Sequence, residues 1–145
     1  MNILLINPSQ QELYGKFKAP LSLPIGLGYI AAVLERDGHD ISVVDIDANN
    51  ITPAALTDKV ISRKIQLTGI TVITPAMRSA LKTARLIKEN TGSKVVLGGI
   101  HPSLAPREWL GNKEVDFVVV GEGEQTIRDL VSALVQNADL SSVRG

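Results

Sequence analysis

Five short apolar runs, at residues 3–6, 41–46, 69–73, 94–97 and 117–120, punctuate the chain, rich in β-branched residues and almost free of polar interruption. A strand with one face in water alternates apolar and polar positions, so unbroken runs indicate strands covered on both faces, as in a parallel sheet. Between the runs the period becomes helical. Ile127, Leu130, Val131, Leu134 and Val135 recur at i, i+3, i+4, i+7 and i+8 and form one buried stripe. Thr52-Pro53 and Thr74-Pro75 each place a capping residue before a proline, predicting helix starts after the second and third runs. Gly38 and Gly92 fall where the first and third helices should stop, because glycine takes the left-handed conformation that ends a helix.

Strands and helices in strict alternation predict an α/β domain: a flavodoxin-like, doubly wound, five-stranded parallel sheet of order 2-1-3-4-5, sandwiched between helices in three layers. A chain of 145 residues suits one such domain. The apolar period stops at Asn137, so the expected division is a domain over 1–137 and the start of a linker over 138–145. No apolar run approaches the ~18 residues of a membrane span, and Met1 to Pro8 lacks the basic start of a signal peptide, which points to the cytoplasm. Fifteen Lys+Arg balance fifteen Asp+Glu, leaving no broad positive field for nucleic acid. The absence of cysteine excludes disulfides, thiolate zinc sites and an iron–sulfur cluster held by this chain.

In an open parallel sheet, ligands sit beyond the carboxyl ends of the strands, and that is where the unusual residues gather. The loops entering strands are plain turns such as Asp37-Gly38-His39-Asp40, which leaves His39 solvated. The loops leaving strands hold Thr74-Pro75-Ala76-Met77, Gly98-Gly99-Ile100-His101 and Gly121-Glu122-Gly123-Glu124. Gly98-Gly99 either admits a ligand to the backbone or bends the chain before a short helix around Arg107 to Leu110. Glu122 and Glu124 precede the last helix as an acidic cap, or accept from neutral amide and hydroxyl donors; a phosphate would be repelled. Gly26-Leu27-Gly28-Tyr29-Ile30-Ala31 fits G-x-G-x-x-A but lies far from the turn after the first strand, so it reads as close packing of a helix on the sheet and not as a dinucleotide fingerprint. Asp45 and Asp47 read as loop and cap residues. His101 is open to two readings, a ligand contact or a hydrogen bond that braces its own loop.

In order, Leu23-Pro24-Ile25-Gly26-Leu27-Gly28-Tyr29-Ile30-Ala31-Ala32, Gly38-His39-Asp40-Ile41 leading to Asp45, Gly98-Gly99-Ile100-His101-Pro102-Ser103 and Val115-Asp116-Phe117-Val118-Val119-Val120-Gly121-Glu122-Gly123-Glu124 resemble one family. It is the N-terminal cobalamin-binding domain of radical S-adenosylmethionine enzymes, the group of the anaerobic magnesium-protoporphyrin monomethyl ester oxidative cyclase and of cobalamin-dependent methyltransferases. The resemblance implies a corrin over the carboxyl ends of the strands, with its nucleotide tail entering between loops. Thr74, Ala76, Gly98, Gly99, His101, Gly121, Glu122 and Gly123 would line the cofactor, with Leu23 and Gly26 supporting the opposite wall.

Two departures bear on mechanism. The loop after the first strand reads Asn7-Pro8-Ser9-Gln10-Gln11-Glu12, with no histidine where D-x-H-x-x-G proteins ligate cobalt from below. The resemblance also implies a downstream radical S-adenosylmethionine domain of the same chain, with its own [4Fe–4S] cluster and S-adenosylmethionine, since this chain has no catalytic set. The alternative is a flavodoxin-like domain without cofactor that serves docking or substrate access, and a flavin or nucleotide enzyme ranks third.

Overall fold

The computed structural model describes every residue except 16, 18–23 and 110. Strands β1 (Asn2–Asn7), β2 (Asp40–Asp45), β3 (Leu67–Thr71), β4 (Lys94–Gly98) and β5 (Phe117–Val118) form one parallel sheet in the order β2-β1-β3-β4-β5. The helices are α1 (Gln11–Tyr14), α2 (Ile25–Arg36), α3 (Pro53–Ser62), α4 (Met77–Asn90), α5 (Ile100–Leu104) and α6 (Gly123–Gln136). Central β1 shows why its apolar run is unbroken. Ile3 and Leu5 pack under α2 and α6, Leu4 and Ile6 pack under α3 and α4, and all four are at most 2% exposed.

Several elements differ from the sequence expectation, each for a local reason. β3 begins at Leu67, two residues before the expected run, because Thr68 pairs in the sheet with its hydroxyl satisfied by Ser93 Oγ at 2.9 Å, so a buried polar residue interrupts the apolar signal. Thr52 does cap α3, accepting from the Ala55 amide at 3.2 Å, but Thr74 opens a short 3-10 turn (Thr74–Ala76) ahead of α4 and caps nothing with its side chain. Gly38 ends α2 with φ +85°, whereas α4 is closed by extended Thr91, whose hydroxyl donates to the Ile87 carbonyl; Gly92 is not in the left-handed region. After β4 the helix starts directly at Ile100, and the Arg107 region forms a 3-10 turn (Pro106–Trp109). Along α6, Ile127, Leu130 and Val131 are buried as expected, while Val135 is 56% exposed.

Gly26 and Gly28 do not pack α2 on the sheet. Leu27, Ala31 and Leu34 form that contact, and an added Cβ at either glycine meets nothing within 4 Å. Beyond α6, closed by left-handed Asn137, the chain doubles back: Val143 packs on the α2/α6 side of the core, and Thr126 Oγ1 donates to the Arg144 carbonyl at 2.8 Å.

Candidate functional site: a glycine-lined cavity at the carboxyl edge

Three exit loops meet at one end of the sheet. β3 runs on as Val72, whose N–H donates to the Gly98 carbonyl at 2.8 Å and whose carbonyl accepts from His101 N–H at 3.0 Å, so the β3 and β4 exits are laced together. Gly99 sits at φ +103° and ψ −167°, a region open in practice to glycine alone. An added Cβ would stand 2.9 Å from Thr71 Oγ1 and 3.0 Å from the Val72 carbonyl oxygen, so crowding forbids a side chain there as well. The β5 exit turns at Gly121, φ +79°, and enters α6 at Gly123.

Between these loops, the sheet, α2 and α6 lies a cavity of about 580 Å³. Its floor is Leu5, Gly69 and Val96, neighbours in register on the same face. At Gly69 a Cβ would fall 2.8 Å from Leu5 Cδ2, so the missing side chain makes room for Leu5 in the floor. Leu27 and Ile30 of α2 face Ile127 of α6 across it, and Gly98, Gly99, Gly121 and Gly123 form the loop walls.

Of the residues singled out from sequence, Gly26, Gly98, Gly99, Gly121, Glu122 and Gly123 line this cavity. Leu23 lies outside the described residues. Ala76, 3% exposed, sits beneath the β3 exit and does not reach the cavity. Thr74 and His101 meet each other instead: His101 Nδ1 lies 3.1 Å from Thr74 Oγ1, Nε2 lies 3.1 Å from Glu108 Oε2, and the ring meets Trp109 edge-on at 5.5 Å. His101 makes the hydrogen bonds of the bracing reading. At 7% exposure, with both nitrogens engaged, it ties the β3 exit to the turn after α5. Glu122 and Glu124 border the cavity, and Glu122 makes no side-chain cap to α6.

Sequence reasoning missed Gly69, Thr71 and Ser103. Gly69, Thr71 and Ile73 alternate at period two and all line the cavity, a spacing that was visible once β3 was in register. Thr71 brings a hydroxyl with no hydrogen-bond partner among the described residues. Ser103, at the end of α5, donates to the Gly99 carbonyl at 2.8 Å and accepts from Gly121 N–H at 2.9 Å.

At the amino edge, Arg128 hydrogen-bonds Asp37 and holds its carboxyl below the ordinary value, while burial and the N-terminal ammonium lower His39. His39 is thus half-buried, its Nδ1 3.2 Å from the Met1 nitrogen, and not the free turn residue expected. Asp45 and Asp47 act as loop braces, accepting from Asn7 and from the Ala48 and Gln10 amides. No group of three or more His, Cys, Asp or Glu residues placed to hold a metal ion occurs among the described residues.

A doubly wound sheet with a glycine-lined cavity at its carboxyl edge has its candidate site where open α/β sheets bind ligands. The model of the B12 binding domain family matches residues 20–131, and the chain belongs to that family. It is 32% identical over its whole length to an uncharacterized methyltransferase of Pyrococcus horikoshii and 32% identical to the anaerobic magnesium-protoporphyrin IX monomethyl ester cyclase of Rubrivivax gelatinosus. It spans 32% and 27% of the length of those relatives. The radical S-adenosylmethionine methyltransferase TsrM of Kitasatospora setae, with cobalamin and a [4Fe–4S] cluster bound, superposes over 99% of the chain and 26% of its own, at a TM-score of 0.84 and 24% identity.

Proposed function

We propose that this domain holds cobalamin with the nucleotide tail in the cavity between the sheet, α2 and α6, and the corrin over the carboxyl edge, as the cofactor module of a radical S-adenosylmethionine methyltransferase or cyclase. The observation that carries the reading is the set of glycines whose bare sides the fold does not need. At Gly26 an added Cβ meets nothing within 4 Å, and at Gly98 it makes only ordinary contact with Val119 at 3.8 Å, whereas Gly121 is required by its turn at φ +79°. Packing does not demand those gaps, so the backbone is left open for a ligand. Gly26, Gly98, Gly99, Gly121, Glu122 and Gly123 would border the cofactor, and the Thr71 hydroxyl would meet the tail.

The β1 exit supplies no histidine, and Asn7 is bonded to Asp45, so that loop would offer a bound cobalamin no imidazole. When bound, the cofactor supplies a cobalt centre able to carry a methyl group. The cluster and the S-adenosylmethionine site belong to a downstream domain of the same chain, reached through residues 138–145. No described helix is long and apolar enough to cross a membrane, and a cytoplasmic setting suits a cysteine-free module serving an oxygen-sensitive cluster.

The test is to mix the purified chain with hydroxocobalamin, flavin mononucleotide or NAD and desalt. A retained corrin spectrum with neither nucleotide co-eluting is the expected result. Retention of flavin without corrin overturns the proposal.

A further inference from the structure

We propose that Ser103 is a positioning residue that clasps the β4 and β5 exit loops across the cavity mouth and so sets the affinity for the ligand; the proposal rests on the cobalamin reading. The β5 strand is short, and its ladder ends with Val119 N–H donating to the Leu97 carbonyl at 2.8 Å. Beyond that, the turn at Gly121 has left the sheet, and its N–H is taken by the Ser103 hydroxyl at 2.9 Å. The same hydroxyl donates back to the Gly99 carbonyl at 2.8 Å, beside the Ser103 N–H at 3.2 Å on the same acceptor. One side-chain oxygen therefore joins the two loops that carry Gly99 and Gly121, both of which border the cavity.

The chemistry is selective. The bridging atom must donate and accept at once from a side chain one atom long, which serine and threonine provide and alanine does not. Gly121 is exposed, so in the free domain the bond competes with water and adds little to folding. A ligand covering the mouth removes that water, and the bond then counts in full, as does its loss. Clasp and ligand therefore reinforce each other. His101, two residues earlier on α5, faces the other way, into the core, so α5 carries one strut beneath the mouth and one clasp across it.

The test measures cobalamin affinity by visible titration, the melting temperature of the free chain, and Gly121 amide hydrogen exchange by NMR, in wild type, Ser103→Ala and Ser103→Thr. Ser103→Ala is expected to weaken binding by roughly 2- to 12-fold, the range given by the net worth of one hydrogen bond. It should speed Gly121 exchange and leave the melting temperature unchanged, and Ser103→Thr should restore both affinity and exchange. Faster Gly121 exchange in Ser103→Ala with unchanged affinity overturns the proposal. Weaker binding in Ser103→Ala with Gly121 exchange unchanged also overturns it, since the hydroxyl would then touch the ligand directly. If Ser103→Ala fails to fold, the stability argument is wrong and the clasp is overturned as a binding device. The two readings fail separately: no corrin on the wild-type chain sinks the cobalamin reading, whereas equal retention by wild type and Ser103→Ala sinks the clasp alone.

Discussion

Two cavities open on opposite faces of the sheet. The one between α3, α4 and the β2 exit measures about 800 Å³, against about 580 Å³ for the one between α2, α6 and the glycine loops. In the larger, an apolar floor of Ile46, Ile51, Leu56 and Leu86 is ringed by polar groups, several of which the fold already uses. Thr52 caps α3, the Thr83 hydroxyl donates to the Ser79 carbonyl, Asp47 accepts from the Gln10 amide, and Lys82 pairs with Glu12. No glycine lines it. Six glycines line the smaller cavity, and the Thr71 hydroxyl there is uncommitted among the described residues. Volume therefore does not mark the site. Backbone left bare does, because it costs stability unless something outside the fold uses it.

The comparison breaks most directly at Gly99. In Gly99→Val a β-branched residue is forced to φ +103° with its Cβ 2.9 Å from Thr71 Oγ1. The backbone strain alone costs about 1–3 kcal/mol, and the overlap adds to it. A large fall in the denaturation midpoint and complete loss of retained hydroxocobalamin are expected. Wild-type retention would show that the smaller cavity is not the site.

His101→Ala comes next. It removes the links to Thr74 and Glu108 and the edge contact with Trp109, leaving a void at a position 7% exposed. A loss of about 2–3 kcal/mol is expected from the cavity and the hydrogen bonds together. Corrin retention should fall with it through the loosened loop, but the visible spectrum of the remaining complex should not change. A nitrogen-ligated spectrum in the wild type that disappears in the variant would make His101 a cobalt ligand and refute the brace.

Gly26→Ala sharpens the comparison, because its two effects have opposite signs. In α2 an alanine meets nothing in the fold and raises stability by up to about 1 kcal/mol, yet its methyl group projects where Gly26 borders the cavity. A higher melting temperature with weaker corrin retention is expected. If both rise, Gly26 is not at the ligand.

The fold was legible because parallel strands advertise themselves: four consecutive apolar residues in β1 must feed two cores, and no other element needs that. The site was legible only in part. Glycines are visible in a sequence, so the loop walls could be named. Which way a polar side chain turns is not visible, so the sequence does not reveal that Thr74 and His101 bond each other or that Thr71 lines the cavity. Asp116 carries the same lesson. It belongs to the stretch that marks the family resemblance, yet its carboxylate accepts the Val95 N–H at 2.7 Å and meets Lys88 Nζ at 2.9 Å, a structural task remote from the cavity. Tertiary hydrogen bonds of this kind join residues 21 to 28 positions apart in sequence, beyond the reach of any local pattern.

The smallest effect is expected on the opposite face. Lys82→Ala removes an ion pair whose two side chains are 69% and 57% exposed. Water screens such a pair, so stability should change by less than about 1 kcal/mol. Ser79→Leu, made in parallel, places a larger side chain at the same cavity without removing a side-chain bond, since the Thr83 hydroxyl uses the Ser79 carbonyl and not its side chain. Neither variant should alter the amount of hydroxocobalamin retained after desalting, because the larger cavity is separated from the glycine loops by the thickness of the sheet. If either variant releases the corrin while its melting temperature holds, the ligand occupies the α3/α4 face. The bare glycines on the other side would then need a different explanation, and the assignment of the two cavities would have to be exchanged.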